Sequence, residues 1–361
     1  MQKKQHIFKI GGSCLHEPAD LEKVAGLCKE NPDAIIVISA FNELEWMLTN
    51  AAYASVREKR LDENITAYLT KFYKVFTDKR KDELQNCIEP LLKWLDDELS
   101  TISSQRYLTN LSLAAIQAIS QLITANLLFA YLKEKFINAT LFRENILRVK
   151  NHVSDKAYLD EENKEMLIET LGIPGIKIVP GTVGTTKNDV IVSLGKDGAD
   201  YTATFISSLF PNSEVTFFTN QQGIFTADPK IVTNAELIPE ISIQQAIVIA
   251  RAGSTIVSER ALEVIKGTTT KIRICNLRKR NSGTIIKHTS QTNENGKNEP
   301  LIICSKKISR DMFEIVCVGP TEIILGKLAH RLDYSRTLEI IHDTAKQGQE
   351  AVRRLQTIRI L

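Results

Sequence analysis

A short apolar run near the start of the chain ends in a lysine, two glycines and a serine: Lys9-Ile10-Gly11-Gly12-Ser13. Two glycines directly after a strand let the backbone approach a ligand closely. The amide N–H groups of such a turn, and of the helix start that follows it, favour phosphate. Lys9 would add a fixed positive charge from the strand end, and Gly11, Gly12 and Ser13 would supply the cradle. The same five residues also describe a tight strand-to-helix turn beside a solvated lysine. They do not make a P-loop, because the G-x-x-x-x-G-K-[ST] spacing is absent.

Two further segments have a similar build. Ser193-Leu194-Gly195-Lys196-Asp197-Gly198-Ala199-Asp200-Tyr201-Thr202 follows an apolar strand and runs into a helix. Asp200 there is either an ordinary acid complementing the helix dipole or a carboxylate that positions Lys9 or a transferring group. Thr219-Asn220-Gln221-Gln222-Gly223-Ile224-Phe225-Thr226-Ala227-Asp228-Pro229-Lys230 ends a strand in a glycine turn followed by Asp-Pro. By itself it is equally a surface loop built from turn residues.

The elements that must carry these segments follow from periodicity. Ile7–Ile10 reads as a strand, and Leu21, Val24, Ala25 and Cys28 repeat at helical spacing. The run Ala34–Ile38 is short enough for a buried parallel strand, so a right-handed βαβ unit is expected. Residues 43–132 read as helical, with Ile65, Tyr68, Leu69, Phe72 and Phe76 on one face and Leu84, Ile88, Leu91, Leu92, Leu95 and Leu99 on another. Short strands are expected near Ala139–Phe142, Ile176–Val179, Val190–Ser193, Val215–Thr219 and Lys271–Cys275. Helices are expected over Ala199–Leu209, Ile243–Arg251 and Ser254–Ile265. This alternation indicates a mainly parallel sheet covered on both faces. The polar, Asn-rich run 288–299 reads as a linker. Beyond it a β-α-β-α-β tail is expected: strand Met312–Val318, helix Thr321–Leu332, strand Leu338–Ile341, a helix near Glu350 and strand Thr357–Leu361.

Composition narrows the class. With 46 basic and 43 acidic residues the net charge is +3, too balanced to point to nucleic acid or a membrane surface as partner. The six cysteines form no C-x-x-C pair, so neither a zinc site nor a disulfide scaffold is expected, and no other metal site is read from the sequence. Reduced thiols in a cytoplasmic protein are the expectation. The opening MQKKQHIFKIGG has no long apolar core, so no secretory signal is expected there. Residues 111–132 carry no charge and are long enough to cross a bilayer. Gln117, Gln121 and Asn126 inside the stretch would be costly in lipid, so a helix buried in a protein core is expected.

Taken in order, these segments resemble the aspartokinase branch of the amino-acid-kinase family. Lys9–Ser13 is similar to its K-F-G-G-T/S opening, and Gly181-Thr182-Val183-Gly184 to its G-F-I-G turn. Leu194–Ala203 resembles L-G-R-G-G-S-D-Y-T-A, and Thr219–Lys230 resembles T-D-V-D-G-V-Y-T-A-D-P-R. Ile238–Ser242 through Arg260-Ala261-Leu262, then Lys271–Asn276 and Gly283-Thr284, also fit, so the likeness spans about residues 5–290. It implies a three-layer α/β fold with a mainly parallel central sheet over residues 1–287. A linker over 288–300 and a shortened, ACT-like α+β module over 301–361 would follow. The implied activity is ATP- and Mg²⁺-dependent phosphorylation of the side-chain carboxylate of aspartate, by a homodimer.

By that resemblance Lys9 would stabilise the transferring phosphoryl group and Asp200 would hold the lysine. Gly11, Gly12, Ser13, Thr219, Asn220, Phe225, Asp228 and Lys230 would serve the nucleotide. Ser39, Gln121 and Lys196 would serve the amino acid. Departures gather in these places. Lys196 replaces an arginine whose fork suits a carboxylate, Gln121 a glutamate, and Asn220 and Gln222 two acids. Asn42, Glu43 and Glu45 stand where two glycines and a threonine are usual, and Thr255 where a lysine is. A different small carboxylate or amino-acid acceptor, or a non-catalytic homologue acting as a regulatory or binding subunit, are the alternatives these changes leave open.

Overall fold

The computed structural model describes residues 4–57, 64–142, 146–150, 157–195, 197–230, 232–252, 254 and 256–288, and the strands 302–309, 312–318 and 323–329. The chain forms two compact units, Met1–Asn220 and Gln221–Leu361. Sequence reading expected one domain over 1–287; of the expected linker 288–300, residues 289–300 lie outside the described residues.

The first unit begins with β1 (His6–Ile10), α1 (Pro18–Glu30) and β2 (Ile35–Ile38). The start of α1 is written locally: Glu17 and Asp20 form a reciprocal capping box and Pro18 occupies the first turn. Four helices follow, α2 (Asn42–Ser55), α3 (Asn64–Tyr73), α4 (Asp78–Gln105) and α5 (Asn110–Glu134), as the helical reading of 43–132 expected. The remainder is β3 (Ala139–Leu141), α6 (Lys164–Leu171), β4 (Ile176–Pro180), β5 (Val183–Thr185), β6 (Ile191–Ser193), α7 (Gly198–Leu209) and β7 (Glu214–Thr219).

Within this unit the strand order is β3-β4-β2-β1-β7, all parallel. Both β2 and β4 are buried at every residue, as strands covered on two faces must be. Helix α5 packs on β2, β3 and β4, and α7 on β1, β2 and β7. The three-layer α/β expectation therefore holds. The strand Val190–Ser193 has another place: β6 pairs antiparallel with β5 in a separate two-stranded hairpin.

Helix α5 is long and apolar enough to cross a membrane by length and composition, yet 78% of its most apolar window is buried within the fold. It is a core helix, as its internal polar residues suggested. Thr109 caps it by accepting from the Ser112 N–H at 2.9 Å.

The second unit contains β8 (Glu240–Ser242), α8 (Ile243–Arg251), α9 (Glu259–Ile265), β9 (Lys271–Asn276) and β10 (Thr284–Lys287). Here β10 pairs parallel with β8 and antiparallel with β9. Helix α9 starts later than the expected Ser254, because Ser258 caps it, its hydroxyl accepting from the Ala261 N–H at 3.2 Å.

The tail differs from its sequence reading. Strands β11 (Ile302–Ser309), β12 (Met312–Val318) and β13 (Ile323–Ala329) form an antiparallel sheet in that order. The helix expected over Thr321–Leu332 is instead strand β13. The short apolar run 323–325 does not distinguish strand from helix by itself, and pairing with β12 decides between them. The elements expected at Leu338–Ile341, Glu350 and Thr357–Leu361 lie outside the described residues.

Candidate active site

The ladder register of the first unit places its functional segments side by side. Ile10 pairs with Ile38 and with Phe218, and Ile38 with Pro180. One residue further, Gly181, Ser39, Gly11 and Thr219 stand in a row at the carboxyl ends of β4, β2, β1 and β7. Backbone bonds continue the sheet into that row: Gly181 N–H to Ile38 O at 2.9 Å, Ser39 N–H to Ile10 O at 3.0 Å, and Gly11 N–H to Phe218 O at 3.2 Å. The chain leaves β1 toward β2 on one side and returns to β7 on the other, so β1 is a switch point of the sheet. Open α/β sheets bind ligands in the crevice at such a point.

Lys9 lies on that switch strand. Its Nζ is 2.8 Å from Asp200 Oδ1, and the two side chains are 16% and 8% exposed. The same Nζ would be 3.4 Å from a Cβ built on Gly11, so the positive charge lies directly over the glycine turn. Gly12 opens a short 3₁₀ turn, Gly12–Cys14. A Cβ there would run into Ala40 O and Asn42 Oδ1, so only glycine fits against the β2–α2 turn. Ser13 is half-buried beside it. Burial pushes the neighbouring Cys14 thiol up to about 11, which keeps it neutral and unreactive near pH 7.

Asp200 sits in the first turn of α7, and the approach of that helix is set by small residues. A Cβ on Gly181 would come within 2.6 Å of Ala199 Cβ and 2.8 Å of Val37 Cγ1. The Thr202 hydroxyl donates to Gly181 O at 2.7 Å. The Gly181-Thr182 turn is thereby locked to α7 and holds Asp200 opposite Lys9. Gln121, 4% exposed on α5, faces this turn. Its Oε1 accepts from the Thr182 N–H at 2.9 Å, and its Nε2 contacts the Thr182 hydroxyl. Ser39 is half-buried at the end of β2, and Glu45 lies in the first turn of α2, where burial raises its carboxyl above the usual range. Lys196 and Thr255 lie outside the described residues.

In the second unit, Phe225, Asp228 and Lys230 belong to a loop with its own framework. Phe225 is half-buried and bridges Leu237, while Asp228 and Lys230 are exposed. Asp228 Oδ1 accepts from the Lys230 N–H at 2.9 Å, the turn geometry its residue type favours. Thr284, fully buried, closes the loop base. Its hydroxyl accepts from the Ile224 N–H at 2.8 Å and donates to Ile238 O at 2.6 Å. Thr226 pairs with Glu236 in both directions, through N–H to O at 2.9 Å and Glu236 N–H to Oγ1 at 3.0 Å. Its carbonyl accepts from the Ile303 N–H at 2.8 Å, tying the start of β11 to the loop.

The first unit thus brings together Lys9, Gly11, Gly12, Ser39, Thr219 and Asp200, with Asn220 exposed just after Thr219. Sequence reading assigned no role to Thr182, Thr202 or Thr284. The Gly-Thr pair at 283–284 was a visible signal, since a buried threonine after a glycine commonly serves backbone groups.

Comparison with known proteins agrees with this architecture. Residues 4–276 match the family model described as "Amino acid kinase family". The aspartokinase of Rickettsia felis is 31% identical over 180 residues, which cover 49% of this chain and 44% of that protein. The aspartokinase of Chlamydia pneumoniae is 25% identical over 258 residues, covering 69% of this chain and 55% of that one. These matches span about half the length of the curated relatives. Among solved structures, Escherichia coli aspartokinase III in complex with lysine and aspartate superposes with a TM-score of 0.70 at 17% identity, covering 87% of this chain and 70% of that one. Clostridium acetobutylicum aspartate kinase superposes with a TM-score of 0.63 at 20% identity, covering 86% and 68%. At those identities the likeness is one of fold. The family-model match covers most of the chain, and with the glycine turn and Lys9–Asp200 pair on the switch strand it assigns the chain to the amino acid kinase family.

Proposed function

We propose that this protein transfers the γ-phosphoryl group of ATP to the side-chain carboxylate of L-aspartate, giving aspartyl phosphate and ADP. The observation that carries this reading is the Lys9–Asp200 pair, poised over the Gly11 turn at 2.8 Å. Two anions must meet in such a reaction, so alignment and charge neutralisation supply most of the catalysis. A carboxylate is already ionised near pH 7 and needs no general base to attack. Its oxygen forms the new bond to phosphorus while the β–γ bridging oxygen leaves with ADP. Lys9 holds positive charge beside the phosphoryl oxygens, and Gly11, Gly12 and Ser13 line the turn beneath it. Asp200 keeps the Lys9 side chain in place.

On the acceptor side the reading assigns Ser39, Lys196 and Gln121, with Gln121 acting through Thr182 as well. Thr219, Asn220, Phe225, Asp228 and Lys230 are assigned to the nucleotide on the strength of their motif. Among the described residues no three His, Cys, Asp or Glu side chains gather as a metal cage. Mg²⁺ therefore fits this chain as a companion of the nucleotide, held largely by phosphate oxygens, where it would neutralise charge on the β- and γ-phosphates. We assign a homodimer as the working assembly, with β11 and β13, the outer strands of the described tail sheet, as the elements suited to pairing.

Escherichia coli aspartokinase III has been solved in complex with aspartate and ADP, which supports this pair of ligands as the first to test. The test is ADP release with aspartate and a panel of other carboxylates, with the acyl phosphate trapped as hydroxamate. Aspartate-dependent ADP and hydroxamate in equal amounts are expected. Turnover with another acceptor in preference to aspartate would move the assignment to that acid. ATP binding without turnover on any acceptor would replace it with a binding role.

A further inference from the structure

The uncharged stretch 111–132 of helix α5 carries polar side chains at 117, 121 and 124, among others. Steps of four and three residues put them on one helix face, along about 10 Å of the axis. Each engages a different loop at the carboxyl side of the first unit's strands. Gln117 Oε1 accepts from the Ser193 hydroxyl at 3.3 Å, and Ser193 Oγ in turn accepts from the Gly195 N–H at 3.1 Å. Gln121 holds the Thr182 N–H and contacts its hydroxyl. Thr124 Oγ1 accepts from the Phe41 N–H at 3.1 Å while donating to Ser120 O at 2.9 Å. The three loops are those after β6, β4 and β2.

We propose that this stripe on α5 is the positioning element of the acceptor half of the site, with Thr124 setting the Ser39-Ala40-Phe41 turn, Gln121 the Gly181-Thr182 turn and Gln117 the Ser193–Gly195 turn. The inference rests on the acceptor reading above only for its functional consequence. The physical case is independent of it. A helix this deeply buried keeps polar residues only if each has a partner. Here the partners are not random neighbours but the loops that carry Ser39, precede Lys196 and lock α7. Thr124 and Gln121 are 0% and 4% exposed, so water cannot replace them. Gln117 and Thr124 are positioning residues that act through the loops, and Gln121 joins them through its hold on the Thr182 turn in addition to its acceptor assignment.

Thr124→Val keeps the shape of the side chain and removes its hydroxyl, and Thr124→Ser restores the hydroxyl. Two readouts separate the outcomes. Hydrogen exchange at the Phe41 amide reports the positioning itself and needs no substrate; Thr124→Val is expected to speed it at least tenfold, and Thr124→Ser to return it toward the parent. Steady-state kinetics report the consequence; the aspartate KM is expected to rise roughly tenfold or more in Thr124→Val, with the ATP KM unchanged. Ser39→Ala, measured in parallel, should raise the same KM. If Ser39→Ala has no effect on acceptor binding, the acceptor reading falls, and the exchange result alone judges the stripe. Unchanged protection at Phe41 in Thr124→Val, or equal loss in the Ser variant, overturns the proposal. Should Thr124→Val fold poorly, Gln117→Leu at the half-buried end of the stripe gives the same test, with faster exchange expected at Gly195 and unchanged exchange counting against it.

Discussion

Replacing Lys9 by methionine keeps the aliphatic stem and removes the ammonium, which leaves Asp200 facing an apolar group at a position where its side chain is 8% exposed. At 2.8 Å and an effective dielectric near 20, the lost Coulomb attraction is about 6 kcal/mol. Some of that is returned by water reaching the partly open lysine side. Breaking buried pairs costs roughly 3–5 kcal/mol in measured cases, so a loss of about 3 kcal/mol is expected for Lys9→Met. Adding Asp200→Asn removes the carboxylate charge that faced Lys9. The double variant should therefore recover most of the stability, and with Asp200→Asn alone as the fourth corner the cycle should show a coupling energy of roughly 2 kcal/mol or more. Turnover should follow a different rule. Lys9→Met should reduce ADP release by about a hundredfold or more, and the double variant should not recover it, because the ammonium proposed to stand beside the phosphoryl oxygens is still missing. Urea unfolding gives the stability arm and a coupled ADP assay the kinetic arm. A coupling energy near zero would refute the buried-pair reasoning. Near-normal turnover in a well-folded Lys9→Met would refute the role of Lys9 in phosphoryl transfer.

Gly181→Ala drives a methyl between Ala199 and Val37, so a loss of about 1–3 kcal/mol is expected from overpacking. The thermal midpoint checks this, and kcat should fall with it because α7 carries Asp200. Thr284→Val leaves the Ile224 N–H and Ile238 O without their shared partner and should cost roughly 1–3 kcal/mol. Thr284→Ser should recover most of that in urea unfolding, and equal losses in both variants would count against the clamp. Burial raises the Glu45 carboxyl above 4.5, so its folded state favours the protonated form. Its stabilising contribution is then complete below about pH 4.5 and disappears as pH rises through the higher folded value. Glu45→Gln should accordingly raise the thermal midpoint at pH 7, with the advantage shrinking toward pH 4. A pH-independent difference would disprove the assignment.

Much of the site could be read from neighbours along the chain, because short-range chemistry wrote it. The apolar run before Gly11-Gly12 makes β1 and its turn, Ser258 and the Ser242–Gln245 box start their helices, and Asp228 bends its own loop through Lys230. The ordered motifs, through the family they resemble, put Lys9, Ser39, Asp200 and Thr219 forward as candidates before any geometry was known. What they could not supply was pairing across distance. Lys9 meets Asp200, Gln121 meets Thr182 and Thr124 meets Phe41 only because the parallel ladders place β1, β2 and β4 in register, α7 packs on β1 and β2, and α5 packs on β2 and β4. Local residue types do not encode that register; it is selected by which arrangement buries the strands on both faces. The same limit explains the tail. Residues 323–329 open on an apolar run too short to tell strand from helix, and the edge offered by β12 settles them as β13. Gln121 shows the limit at a single side chain. Its type announced a polar contact inside an apolar helix, but whether that contact was a substrate or a backbone turn depended on a loop sixty-one residues away, brought there by the burial of everything in between.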